Sequence, residues 1–466
     1  MRRLRLSLSV ILAATACFAW PQCVAAGSDG GSGPNSPFQI EPPVDSRAFL
    51  LSAGATEPAP DESASAAPET LLMKALDQVG IGKWMTDNRI NAFGWIEGSY
   101  NYNFENPAPR LNLGHLFDVQ DSDAVINQLQ LSVERTVDLS TKPFDLGGRI
   151  DLLYGSDARF LHSSDLLDHQ GGQDLGVPSQ QYQFDIPQLY VDVALPVGSG
   201  LRLRFGKFEF FKFTDPNASP LFSHSYFYST SGEGNVPRVP SSQVGASVPF
   251  TLTGITGYYE FSKQVNLEAG IGRGYDQSLT DNNGSIDGFG RLNYTVSDRT
   301  TTSFAVITGS EITGDNSHYR TVGVLSVGDS VTNDLLILAD AFYGVQARGQ
   351  TLFDPATTQL THIGGDAHWY GLNGTAIYRI NRNLSAAARF EWYRDEQGFT
   401  TGYGKGVNLY EVTTGLTITP FPDSDTARGF KIRPEIRYDF SDKPYFLNTS
   451  ARSYQWIAAV DAIFNF

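Results

Sequence analysis

Cysteine is almost missing from this 466-residue sequence, and the only two, Cys17 and Cys23, stand near its start. Beyond them there is no thiol to close a disulfide, ligate zinc or act as a nucleophile. Charge is also sparse. Charged residues make up 18% of the chain, against roughly 25% in soluble domains. Basic clusters are absent: Lys and Arg number 34 against 50 Asp and Glu, for a formal charge of -16. An acidic chain without a Lys/Arg-rich run is a poor nucleic-acid ligand, so no nucleic-acid partner is expected. Past residue 26 no run of 18 apolar residues occurs, which excludes a helical membrane span on length. No phosphate-loop motif is present. Gly270-Ile271-Gly272-Arg273-Gly274 reads as part of a strand and opens no helix, so it is no nucleotide fingerprint. The seven histidines are scattered and none has metal-ligand spacing to a cysteine or a paired histidine. The densest group, His162, Asp165, Asp168 and His169, is the nearest approach to a metal cluster. No metal, cofactor or catalytic residue is assigned.

Aromatic residues are plentiful, with 30 Phe and 21 Tyr, and so is glycine, with 46. Residues 1–26 read as a secretory signal peptide: Arg2, Arg3 and Arg5, an apolar stretch from Leu8 to Trp20, then Val24-Ala25-Ala26 before Gly27. The apolar stretch is too short for a membrane anchor. Ala14-Thr15-Ala16-Cys17 lacks the leucine of a lipoprotein box, and apolar residues continue beyond it. Loss of this leader would take the charge from -16 to -19. Residues 27–69, rich in Gly, Ser, Pro, Ala and acids, read as a flexible periplasmic tail that buries too little apolar surface to fold. Residues 70–88 form a linker, in which Leu72, Leu76 and Val79 share one face of a short amphipathic helix over 70–85, with Gly80 near its end. Such a helix would rest on or inside a barrel mouth, or fray.

From residue 89 to 466 the hydrophobic period changes to two. Phe430, Ile432, Pro434, Ile436, Tyr438 and Phe440 alternate with Lys431, Arg433, Glu435, Arg437 and Asp439. Leu384, Ala386, Ala388, Phe390 and Trp392 alternate likewise with Ser385, Ala387, Arg389, Glu391 and Tyr393. Strict alternation gives a sheet with one apolar and one polar face. Proline is rare inside sheets, so Pro434 is expected to mark a bulge. About sixteen such strands can be read off, and an even number suits closed antiparallel pairing with both ends on one side. Tight turns such as Ser262-Lys263 and Asn381-Arg382 alternate with long connections, among them 105–122, 156–183, 213–249 and 346–366. Aromatics gather where strands meet turns, at Tyr258, Tyr259 and Phe261, at Tyr294, at Tyr378, and at Tyr438 and Phe440. Together these features predict an all-β fold, a transmembrane antiparallel β-barrel of the bacterial cell outer membrane. Its partner is the lipid bilayer, and both termini face the periplasm. The ending Val460-Asp461-Ala462-Ile463-Phe464-Asn465-Phe466 resembles the terminal signal of such barrels, so Phe466 is expected to be read by the barrel-insertion machinery.

The strand sequences resemble the OmpL-like family of β-barrel porins. The resemblance is carried by Gly94-Trp95-Ile96-Glu97-Gly98-Ser99-Tyr100, Asn127-Gln128-Leu129-Gln130-Leu131, Gly148-Arg149-Ile150-Asp151-Leu152-Leu153-Tyr154-Gly155, Gln188-Leu189-Tyr190-Val191-Asp192 and Leu203-Arg204-Phe205-Gly206-Lys207-Phe208. It implies an outer-membrane pore, with no site residues to carry over.

A pore acts through its lumen, and alternation turns Arg149, Asp151, Arg202, Arg204, Arg291, Arg389, Glu391, Lys431, Arg433, Glu435 and Arg437 inward. On the lipid face, Arg or Lys would cost about 2–4 kcal/mol at mid-bilayer. After Gly206 the charges change phase, at Lys207 and Glu209, which calls for a bulge there or a water-exposed strand end. The third long loop, 213–249, is expected by analogy with general porins to fold inward as a constriction, bringing Asp215, His224, Tyr226, Tyr228, Glu233 and Arg238 to the channel. The expected function is passive diffusion of small hydrophilic solutes. A barrel hydrolase with a cluster at the external rim, and a plugged structural or adhesive barrel, are the alternatives. General porins suggest a homotrimer, although no distinct subunit face stands out in the sequence.

Overall fold

The computed structural model describes residues 70–466 except 109, 140–143, 169–172, 175–176, 179, 212–213, 231–245, 350, 355–358, 363 and 447–451. The expected leader and tail, His169, Glu233 and Arg238 lie outside the described residues.

Alternating sequence produces sheet throughout. The strands are β1 (Ile90–Asn103), β2 (Ala124–Arg135), β3 (Asp145–Gly155), β4 (Gln183–Asp185 continued by Leu189–Leu195), β5 (Leu201–Phe208), β6 (Leu252–Ser262), β7 (Val265–Gly272) and β8 (Asp287–Thr295). They continue with β9 (Thr300–Ser310), β10 (Tyr319–Ser330), β11 (Leu335–Gln346), β12 (Ala367–Asn381), β13 (Leu384–Asp395), β14 (Val407–Ile418), β15 (Phe430–Ser441) and β16 (Tyr454–Asn465). Each pairs antiparallel with its neighbour in sequence. Both pieces of β4 pair with β3, so they form one interrupted strand. The sheet closes between β1 and β16, in register from Trp95 opposite Asn465 to Asn103 opposite Ile457. Closure leaves no edge along this register, as a bilayer requires.

Burial is inverted relative to a water-soluble domain. Ile96, Leu129, Leu131, Phe304, Leu325, Phe390 and Ile436 are exposed, whereas Glu97, Gln130, Arg389, Glu391, Arg437 and Asp439 are buried. An outward apolar face and an inward polar one is the arrangement a hydrocarbon exterior selects. On the outer face, toward the long-loop end, aromatics stack from strand to strand. Tyr343 meets Tyr370, Tyr370 meets Trp392, and Tyr410 stacks on Phe440 at 4.8 Å. Tyr438 bridges Phe440 and Trp456. Phe261, Tyr294 and Tyr378 are exposed at the short-turn end. Such rings suit a bilayer interface. Tyr258 departs from the expected belt: it faces inward, buried, beneath the Arg202 guanidinium.

Two expected bulges are absent. β15 keeps one register against β16 across Pro434, and its register against β14 is the same on either side. The ladder with β14 merely skips the pairs beside a residue that has no N–H to give. At Gly206 the register is also unbroken on both sides. The change of phase comes from the glycine itself, at φ +136°. A Cβ there would stand 2.2 Å from the Leu189 carbonyl oxygen. This backbone leaves Lys207 buried, 3.6 Å from Asp185.

The helix expected over 70–85 is broken in two. α1 (Leu71–Gln78) ends at Val79, Gly80 turns the chain at φ +81°, and α2 (Gly82–Asp87) follows. Leu72 and Leu76 are partly buried as expected, but Val79, beyond the helix end, is exposed.

Candidate functional site

Beyond β5, the described residues of the third long loop run inside the barrel, where the wall holds them by their main chain. The Glu435 carboxylate accepts the N–H groups of Phe222 and Ser223, at 2.8 and 3.1 Å. Glu391 accepts those of Tyr226 and Phe227. Arg433 donates to the carbonyls of Pro216 and Ser219, Arg389 to that of Ser223, and Arg437 to that of His224. From other strands of the wall, Arg291 on β8 donates to the Phe210 carbonyl, Arg320 on β10 to that of Ala246, and Gln128 on β2 to that of Thr214. A loop without regular structure carries unpaired N–H and C=O groups, and burying them bare is costly. The charged wall supplies both kinds of partner, and charged partners make the stronger bonds. The same side chains stay paired with one another. Arg389 binds Glu411, Arg433 binds Asp461, and Arg437 binds Asp439.

Asp439 joins two loops to the wall. Besides Arg437 and Gln455 it accepts the Tyr226 hydroxyl from the third loop, and it meets His115 Nε2 from the first at 2.9 Å. His115 Nδ1 lies 2.7 Å from Asp118. Burial opposes the imidazolium and Asp118 favours it; with Arg437 against and Asp439 for, the pKa is raised to about 9. His115 is therefore a cation at neutral pH, clasped by two carboxylates.

Toward the long-loop end the interior is apolar. Phe208, Phe210, Phe211, Phe227 and Phe250 pack with Phe289, Phe342, Trp369, Tyr393 and Leu409. The Phe227 and Phe342 rings lie 4.2 Å apart. A second apolar contact places Leu221 against Leu336, Ile377 and Ala387. Between the loop and β1, β2 and β15 a cavity lined by Glu97, Gln128, Asp157, His224 and Arg433 has about 10 Å³ of room for water centres. That is space for about one water, not a solute.

The expected inward residues fall in two groups. Arg389, Glu391, Arg433, Glu435 and Arg437 are buried against the third loop, and Lys431 donates to Asn217 of the same loop. Arg291 is buried under Phe210. Arg149, Asp151, Arg202 and Arg204 lie apart, on the β3–β5 wall. There Arg149 pairs with Asp151 and Glu134, and Arg204 with Asp192 while lying over the Tyr190 ring. Arg149, Arg202, Arg204 and Glu134 keep partial exposure. Of the loop residues, Asp215 caps the turn Pro216–Ala218. The His224 ring meets Phe117 edge-on, and Tyr228 packs on Phe227. His162 is bonded to Asp185 and Gln183. The same alternation that pointed to Arg437 would have singled out Asp439, Glu411, Asp461 and Arg320. Nothing local in the sequence marked His115 as a clasp.

A family model described as "Putative beta-barrel porin-2, OmpL-like" matches residues 89–210 and 242–466. No curated protein sequence matches the chain. Among solved structures, an anion-selective porin from Comamonas acidovorans is similar, with a TM-score of 0.52 at 11% identity over 81% of this chain and 99% of that one. The high-pH structure of Pseudomonas putida OprB gives a TM-score of 0.50 at 11% identity over 84% of this chain and 97% of that one. At such identities the likeness is one of fold.

Proposed function

The chain belongs to the OmpL-like β-barrel porin family and is a porin of the outer membrane, and on that footing we propose that it passes small hydrophilic solutes by passive diffusion, with loop 213–249 as its constriction. The observation that carries this reading is the hold of the wall on the loop backbone from Thr214 to Phe227. A segment fixed to β2, β13 and β15 by main-chain bonds narrows the lumen to a set width. What selects a solute is then the narrowest passage and its charges. The partly exposed Glu134, Arg149, Arg202 and Arg204 form the polar strip that a solute follows. Because Arg149 and Arg204 each stand beside a carboxylate, ion preference is weak. The short-turn end faces the periplasm, the long loops face outward, Phe466 is the mark for the insertion machinery, and the assembly is a homotrimer.

The protein works as a channel without a chemical step. The family match supports that reading. The apolar packing at the long-loop end favours one other reading, a structural barrel whose lumen stays plugged. Planar-bilayer recording separates the two. A porin gives stepwise conductance, and deletion of 220–240 enlarges the step. No steps at all would end the porin reading, and steps unchanged by the deletion would end the constriction.

A further inference from the structure

The lower end of β1 carries an unsolved edge problem that the two N-terminal helices answer. β16 pairs with β1 from Trp95 onward, and Gly94 exchanges backbone bonds with Phe466. Below that, Ala92 pairs with Val133 of β2 on one side only. Its other edge meets α1: the Thr70 hydroxyl donates to the Ala92 carbonyl at 2.8 Å, and the Ala92 N–H reaches Met73 Sδ at 3.3 Å. Thr70 is also the N-cap of α1, accepting the Met73 N–H. Met73, Met85 and Ala92 are buried together, with Leu72, Leu76, Ile90 and Val133 packed against them. The Ala92 and Val133 side chains belong to the outward face, in phase with Ile96, Leu129 and Leu131. The hairpin therefore sits on the outside of the barrel, over the seam, at the short-turn end.

Among the exposed polar residues of the hairpin, three large apolar side chains stand uncovered. Val79 is 68% exposed, Ile81 48% and Trp84 60%. Lys83 and Asp87 pair beside them. We propose that α1 and α2 form an interfacial foot. They close the seam with one face and insert Val79, Ile81 and Trp84 into the phospholipid headgroup zone of the leaflet at the short-turn end. Lipid is the occupant because the hairpin packs on Ala92 and Val133 of the outward face, the same face of β1 and β2 that exposes Ile96, Leu129 and Leu131. It also presents a tryptophan beside two aliphatic side chains, the composition an interfacial helix uses. Thr70 and Met73 matter for the same reason: near hydrocarbon, an unpaired N–H or C=O has no water to bond.

Single cysteines test the foot, in a chain whose Cys17 and Cys23 are replaced by serine. A bimane dye at Trp84→Cys or Ile81→Cys is read in phosphatidylethanolamine vesicles containing nitroxide-labelled phospholipid, with Lys83→Cys as the polar reference. Barrel folding is checked by heat-modifiable gel mobility, and Val79→Cys replaces any variant that fails it. Lipid insertion gives at least twofold stronger quenching at 84 and 81 than at 83. Equal quenching at the three sites overturns the proposal. So does weak quenching accompanied by a disulfide between two Trp84→Cys chains, which would assign the patch to a subunit contact.

Discussion

Replacing Glu391 and Glu435 by alanine should release the third loop from the wall. The two carboxylates together hold four consecutive-pair N–H groups, those of Phe222, Ser223, Tyr226 and Phe227. Leaving a buried donor without its partner costs about 1–3 kcal/mol. Water in the lumen recovers part of this, so the lower end applies, about 4 kcal/mol for the set. At 1.4 kcal/mol per tenfold, the balance between held and released loop moves by about a thousandfold. The wall itself tolerates the change, because Arg389 keeps Glu411 and Arg433 keeps Asp461. Single-channel recording in planar bilayers should show larger steps, or frequent excursions to a larger step, than the parent. The Glu→Gln pair, which keeps an acceptor oxygen and loses the charge, should fall between. A double-alanine variant that folds, by heat-modifiable mobility, yet conducts with parental step size and noise would refute the reasoning.

Other outcomes follow from single sites. His115 has a raised pKa in the folded barrel, so its clasp is complete below about pH 6.5 and is lost as pH rises through about 9. The unfolding temperature should therefore fall between about pH 6.5 and 9 and level off above that, and His115→Gln should flatten that fall. Gly206→Ala places a methyl against the Leu189 carbonyl in a backbone region L residues avoid. It should destabilise the barrel by about 1–3 kcal/mol, read from urea unfolding. Phe227→Ala empties a buried contact with Phe342 and should cost about 3–5 kcal/mol in the same assay. Arg202→Glu reverses a partly exposed charge on the β3–β5 wall and should move the reversal potential in a salt gradient toward cations.

The barrel was legible because its signal is local and repeated. Each strand shows its own alternation, and the lipid face penalises any charge out of phase, so Arg389 and Glu391 revealed their direction from sequence alone. The failures came where one backbone angle or one missing N–H did the work of an inserted residue. Gly206 and Pro434 both suggested a bulge, and at both the register stays intact. The linker helix was placed correctly but read as one piece, because Gly80 breaks it and turns Val79 away from the packed face. The inner partners of the third loop were hidden for another reason. They bond to backbone groups, which every residue has, so no side-chain pattern in 213–249 announces them. His115 reaches Asp439 across 324 positions of sequence, a separation at which periodicity says nothing.

That choice of partner has a consequence for how such a channel can change. Glutamates and arginines of the wall grip peptide groups, so apart from the packed Leu221, Tyr226 and Phe227 the path of the loop is specified by the barrel and not by the side chains the loop carries. A substitution at His224, whose carbonyl is the group that Arg437 holds, can alter what a passing molecule meets while that peptide bond stays where it was. Shape and selectivity are thereby written in separate parts of the chain, and the second can drift, or be redesigned, with little effect on the first.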